Sequence, residues 1–336
     1  MKKERIPALD FIRVICTLGI IANHYAQAVD DNFLTNAFHT YPSGIGSVGY
    51  VCVVVFFMLS GAALYYSNGQ PDHLGRFYMK RWKAVYPSFY IAYIMLFIWY
   101  IRFNRTFFTG RSPLTLVFTV LGMDGYLAGA VPTWYILGEW FLGAIILCYV
   151  LYPLIVYCFK KSEIAACAAL VALYALTLNW KMLNQNAFRN IFSCLLSFSC
   201  GIVLMKHGWF RSRIAGLISL VLYIVSAFVP VIRENNILSH IQGLLLFLAL
   251  AAAGQYVMKN RFFAGMIGKG AKFSFEVFLV HHIIVGYVTH FFHPESTVLL
   301  LLALLGTILI SGIGGYVVYL IRTWIFKQIA ARTNRG

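Results

Sequence analysis

The sequence predicts an all-α polytopic membrane protein with about ten transmembrane helices, one re-entrant or broken segment, and cytoplasmic N- and C-termini. Three observations carry this expectation. Of 336 residues, 60% are hydrophobic and 11% charged, whereas soluble domains carry roughly 25% charged residues to wet their surfaces. The mean hydropathy is +0.76. Apolar runs approaching the roughly 20 residues of a bilayer span recur along the whole chain, and in hydrocarbon their backbone groups must be paired as helix.

Eleven segments follow in order: 11–29, 47–67, 86–101, 114–130, 133–159, 164–180, 188–205, 214–232, 237–258, 273–292 and 298–321. The first follows Met1-Lys2-Lys3-Glu4-Arg5, which has the charge of a signal peptide's start. It carries Asp10, Arg13, Asn23 and His24 and no small-residue cleavage site, so it is expected to stay as the first span. In the second, Gly61-Ala62-Ala63 would let another helix approach closely. The third begins at Tyr86-Pro87, after a loop holding Arg76, Lys80, Arg81 and Lys83. The fourth is interrupted by Gly122, Asp124, Gly125 and Gly129 and closed by Pro132. Broken backbone at membrane depth must be covered by protein or water.

Charge placement settles how the fourth segment is read. If it does not cross, twenty Lys and Arg fall on the cytoplasmic side and six outside, with Arg13 inside the first span. If it crosses, the basic 259–272 loop and the basic C-terminal tail move outside, against the positive-inside rule. The formal charge of +16 is therefore a topology signal. Neither a basic domain nor a nucleic-acid motif accompanies it, so no nucleic-acid partner is expected.

The seven cysteines lie in apolar runs without a CxxC, as small buried hydrophobes. No solenoid period, low-complexity tract or long linker appears, so residues 1–336 are read as a single integral-membrane domain. The tail from Lys327 to Gly336 is expected to be solvated and to lie against anionic membrane lipids. Asn104-Arg105-Thr106 is a formal glycosylation sequon.

Ionisable side chains at membrane depth cost about 2.5–3.5 kcal/mol on insertion scales and mark interiors, cavities or partners. Here they are Asp10, Arg13, His24, Asp124, Glu139, Glu276, His281 and His282. Asp10 and Arg13 share one face, where they either pair or bind a substrate anion. His24 lies about three turns, roughly 16 Å, further along a similar face. Ser60 and Gly61 serve helix packing. The cations from Arg76 to Lys83 serve either as a topology anchor or as a cradle for a polyanion such as nucleotide phosphates. Glu139 follows the broken segment and could meet His24; a carboxylate on an imidazole raises its basicity, as a general base requires. No His-Glu-x-x-His or cysteine ligand set is present, so no metal is expected.

These motifs resemble the family-3 membrane acyltransferases. Arg5-Ile6-Pro7-Ala8-Leu9-Asp10-Phe11-Ile12-Arg13 with His24 is similar to the family's opening Leu-Asp-x-Leu-Arg and its following His. Phe56-Phe57-Met58-Leu59-Ser60-Gly61 looks like its Phe-Phe-x-Leu-Ser-Gly. Arg81-Trp82-Lys83-Ala84-Val85-Tyr86-Pro87 resembles Arg-x-x-Arg-x-x-Pro, and Trp134 to Glu139 resembles Trp-x-x-x-x-Glu. Ser274 to His281 is similar to Ser-x-x-x-Tyr-Leu-x-His. Ala84 stands where a second basic residue is usual, which leaves donor binding to Arg76, Lys80, Arg81 or Lys83. Phe278 replaces a Tyr. No appended extracellular hydrolase-like domain is expected, so a second transfer step would need a separate partner.

The resemblance implies a cell-envelope transferase in a multi-pass cell membrane, the bacterial cytoplasmic membrane. It would perform O-acetylation, a polysaccharide modification, moving acetyl from cytoplasmic acetyl-CoA to a hydroxyl of an exopolysaccharide, lipid-linked glycan or other envelope carbohydrate. His24 would be the general base or transient acyl carrier. Arg13 and Asp10 would order the donor path; Arg76, Lys80 and Arg81 would hold its phosphates; Ser60, Glu139 and His281 would complete the site. The competing reading is a transporter or flippase for a small solute or glycolipid, since buried charges and a broken helix also serve a substrate pathway.

Overall fold

The computed structural model describes residues 4–29, 34, 47–105, 111–134, 137, 140–180, 183, 186–228, 236–293 and 296–333. Among them the chain is helical: α1 (Pro7–Val29), α2 (Val48–Asn68), α3 (Leu74–Asn104), α4 (Trp140–Lys161), α5 (Glu163–Thr177), α6 (Ile191–His207), α7 (Arg213–Phe228), α8 (Asn236–Val257), α9 (Arg261–Gly270), α10 (Ser274–Phe291) and α11 (Thr297–Thr333). Seven of these, α1 to α4, α8, α10 and α11, are long and apolar enough to cross a membrane. The apolar helices α5, α6 and α7 are shorter, at 15, 17 and 16 residues.

The expected fourth segment is broken. A 3-10 turn at Pro113–Thr115 leads into helices of five residues, Leu116–Val120, and four residues, Asp124–Leu127. Gly122 sits between them at φ 67°, in the left-handed region that glycine enters without the usual Cβ penalty. Neither piece approaches the length of a span.

The chain divides into two compact units, one of residues 1–74 with 144–272 and one of 75–143 with 273–336. In the first, α2 and α6 meet backbone to backbone. A Cβ on Gly61 would overlap the Phe198 carbonyl, and one on Gly201 would overlap the Met58 carbonyl. These reciprocal small-residue contacts bring the helices close enough for dispersion to act along the backbone. Gly61 thus has the packing role expected of it. Gly201→Val should therefore force the helices apart and cost at least about 1–3 kcal/mol, as overpacking does. Thermal unfolding of the purified protein would show it as a clearly lowered midpoint.

Polar side chains finish the same unit. Asn190 caps α6, accepting from the Ser193 N–H at 2.9 Å, and its amide donates to the Thr177 hydroxyl at 3.2 Å. His240 on α8 lies between the hydroxyls of Ser193, at 3.0 Å from Nε2, and Ser197, at 2.8 Å from Nδ1. One ring nitrogen donates and the other accepts, so the imidazole is satisfied locally. At the helix ends, Glu163 meets Lys206 and His207; Lys206 holds the Glu163 carboxyl below its ordinary range.

In the second unit two helices run further than their hydropathy suggests. α3 begins at Leu74, so Arg76 to Lys83 ride on its first turns and not on a loop. Hydropathy misplaces this start because charge interrupts the apolar run, yet nothing between Arg76 and Val85 breaks a helix. Pro87 lies inside α3, at the cost of one backbone donor. Likewise α11 continues past 321 to Thr333, placing on helix both Arg322 and the first residues of the basic tail expected from Lys327 onward.

Candidate functional site

In the first unit, α1 carries the expected cluster. Asp10 is 5% exposed and is gripped by Arg5, whose Nε lies 2.5 Å from Oδ2 and whose Nη2 donates to Oδ1 at 3.0 Å. The pairing of Asp10 with Arg13 considered from their spacing is therefore not the one formed. Arg5 precedes the helix and can bring its planar fork to both carboxylate oxygens, an approach helical spacing does not reveal. Arg13 is half-buried and has no ion pair among the described residues. Its carbonyl accepts from the Thr17 hydroxyl at 2.8 Å. The Asp10 charge, one turn back on α1, still acts on Arg13 without a direct ion pair.

Further along α1, Asn23 is buried and its Oδ1 accepts from the Ser47 hydroxyl at 2.8 Å and from the Gly49 N–H at 3.1 Å. Ser47 is the N-cap of α2, but its own side chain makes no capping bond. Asn23 supplies that cap from α1, because the first N–H groups of any helix lack intrahelical acceptors. A Cβ on Gly49 would collide with the Asn23 amide, so only glycine admits it there. The half-buried His24 is the next residue, held on a stretch of α1 that is tied to α2. Asn23→Ala would strand the Gly49 N–H and Ser47 hydroxyl, costing about 1–3 kcal/mol. We expect a lowered unfolding midpoint and reduced activity from the same variant, measured on purified protein. Ser60 is half-buried on α2.

In the second unit the expected donor cations separate. Arg76 and Lys80 are exposed, whereas Arg81 is half-buried. At 100° per residue, Arg76, Lys80 and Lys83 form one row along α3, while Arg81 turns towards the face of Phe77 and Ser88. That face holds a network that only Glu276 announced. The fully buried Ser88 hydroxyl donates to Glu276 Oε1 at 2.7 Å. Arg322 Nη1 lies 2.5 Å from the same oxygen and 3.1 Å from the Ser88 hydroxyl. Ser88 and Arg322 were missed because a serine carries no signal in an apolar run and Arg322 counted as a topology cation. Their charge and hydroxyl chemistry becomes visible only when α3, α10 and α11 are brought together.

His281, on α10, is fully buried and its Nδ1 donates to the Phe278 carbonyl at 2.6 Å, which fixes the proton on Nδ1 and leaves the Nε2 lone pair in the neutral ring. Asp124 is buried and accepts from the Thr119 hydroxyl at 2.7 Å. Trp134 donates from Nε1 to the Ser112 carbonyl at 3.0 Å. Glu139, and with it the expected meeting with His24, lies outside the described residues. Towards the far end of α3, a cavity of 680 Å³ is lined by Trp99, Tyr100, Trp134, Tyr287, Arg111 and His282 among others. Flat apolar rings beside donors suit a ligand with both C–H faces and hydroxyls. Among the described residues no group of three His, Cys, Asp or Glu side chains is placed to hold a metal ion.

A family model described as an acyltransferase domain matches residues 6–316, across both units. The chain is also similar to the acyltransferase MdmB of Streptomyces mycarofaciens, at 24% identity over 321 residues, covering 84% of this chain and 80% of that protein. No solved structure matches it.

Proposed function

The chain belongs to the family-3 acyltransferases, and on that premise we propose that it is a membrane O-acyltransferase that moves acetyl from acetyl-CoA to a hydroxyl of an envelope carbohydrate. The observation that carries the reading is α1, where Arg13, which has no ion pair among the described residues, and His24, about three turns further on and next to the Asn23 cap, lie on one helix. One helix thus offers a cation for the donor and an imidazole for the acceptor. Both termini and the basic helix ends face the cytoplasm in this account, with all 336 residues acting as one multi-pass domain of a bacterial cytoplasmic membrane.

His24 takes the proton of the acceptor hydroxyl as its oxygen attacks the thioester carbonyl. The C–S bond breaks, CoA leaves as thiolate, and the imidazolium returns the proton to sulfur. Acyl transfer through His24 itself balances the same way in two steps. Arg13 and Asp10, the latter held by Arg5, order the donor path. Arg81, Arg76 and Lys80 hold donor phosphates, and Glu139, Ser60 and His281 support the site. The aromatic cavity supports a sugar as acceptor, since pyranose faces stack on such rings.

The test is transfer of labelled acetyl from acetyl-CoA in membranes containing the protein, with acceptor extracts supplied. Label in envelope carbohydrate with matching release of free CoA thiol is expected. Movement of a solute without thioester consumption would contradict the proposal and establish a transporter.

A further inference from the structure

Between α3 and α11 of the second unit lies a cavity of 530 Å³ lined by Lys83, Ala84, Arg322, Thr323, Phe326, Lys327 and Ala330. Its lining holds three basic side chains and no acidic one. Arg322 has Glu276 as its ion-pair partner, whereas Lys83 and Lys327 have no ion pair among the described residues. On α11, positions 322, 323, 326, 327 and 330 form a continuous stripe, and Lys83 extends the Arg76–Lys80 row of α3 into it. Arg322 does not spend its whole guanidinium on Glu276. Only Nη1 is engaged there, while an arginine has five N–H donors on three nitrogens. The Glu276–Ser88 contact therefore positions an arginine whose remaining donors are available to the cavity.

Size narrows the ligand. The space is an open groove whose volume falls within the roughly 300–1,000 Å³ of small-molecule sites, so it admits a ligand larger than one phosphate. Phe326 supplies a ring on which a purine can stack. Lysines and an arginine around such a space are the donor set that phosphate groups select.

We propose that this cavity is a phosphate-binding site and that its occupant is the nucleotide end of the acyl-CoA donor. The same chemistry could be met by the headgroup of an anionic phospholipid, as basic pockets between helices do. The inference rests on the acyl-CoA reading for its occupant, but not for its phosphate chemistry. It adds Arg322 and Lys327 to the donor-binding residues, neither of which the sequence motifs include.

The experiment uses the full-length protein in nanodiscs of phosphatidylcholine, with and without phosphatidylglycerol, and calorimetric titration of CoA and, separately, ATP. The variants are Lys83→Glu with Lys327→Glu, and the milder Lys83→Gln with Lys327→Gln; both positions are exposed, and unchanged elution and helicity verify folding. The wild type should bind CoA, more weakly at high salt, and the charge-reversed pair should bind it at least about tenfold more weakly, as loss of charged hydrogen bonds implies. CoA affinity equal to wild type in both variants would overturn the donor assignment. If those variants instead lose retained phosphatidylglycerol, a lipid headgroup is the occupant. If neither ligand is affected, the cavity is not a phosphate site. A wild type that binds ATP through these lysines but does not bind CoA would sink the acyl-CoA reading and leave the cavity standing.

Discussion

His24→Ala should lower acyl transfer by at least about 100-fold, since a positioned general base contributes about 10²–10⁴-fold. The loss should appear in kcat with the acetyl-CoA KM little changed, because donor phosphates lie with cations elsewhere in the account. A half-buried histidine beside a helix-capping asparagine can be removed without opening a large void, so expression and membrane insertion should persist. The measurement is steady-state CoA release with purified protein, alongside an unfolding curve for each variant. Near-wild-type turnover in the variant would remove His24 from the chemistry. Turnover lost only in proportion to stability would give it a structural role.

Arg322→Ala should be the most destabilising single change on the second unit. Glu276 is fully buried, and Arg322 is its only ion-pair partner among the described residues. Removing one member of such a pair leaves an uncompensated charge and costs about 3–5 kcal/mol. Glu276→Gln keeps the shape and removes the charge, so adding it to Arg322→Ala should recover part of the loss. That recovery is a coupling between neighbours that a double-mutant cycle isolates. Detergent-driven unfolding of the three variants would measure it. Strictly additive effects would show that the pair contributes no specific interaction.

Much of the fold was legible because hydrocarbon admits few solutions. Glycine and proline spacing marked the broken segment around Gly122, and hydropathy marked the long spans. The starts and ends of α3 and α11 were not legible. Charged residues such as Arg76, Lys80, Arg322 and Lys327 look like loop residues to a hydropathy window, although they form good helix. The candidate site was legible where its residues were anomalous for a membrane, as with Asp10, Arg13, His24 and Glu276. Partners were harder to read than members. Arg5 reaches Asp10 from outside the helix period, Asn23 caps a different helix, and Ser88 carries no signal until Glu276 meets it. Each of these pairings depends on where helices pack, which no local pattern encodes.

The central claim is that an acyl group leaves CoA on the basic face and reaches an acceptor hydroxyl through this chain. The most direct measurement supplies labelled acetyl-CoA to only one face of sealed proteoliposomes of fixed orientation, with acceptor carbohydrate present, and follows thiol release and label together. The account predicts free CoA on the face that carries Lys83 and Lys327, and ester-linked label on the acceptor in equal amount. Label that accumulates without thiol release, or thiol release that does not depend on acceptor and survives His24→Ala, would contradict it.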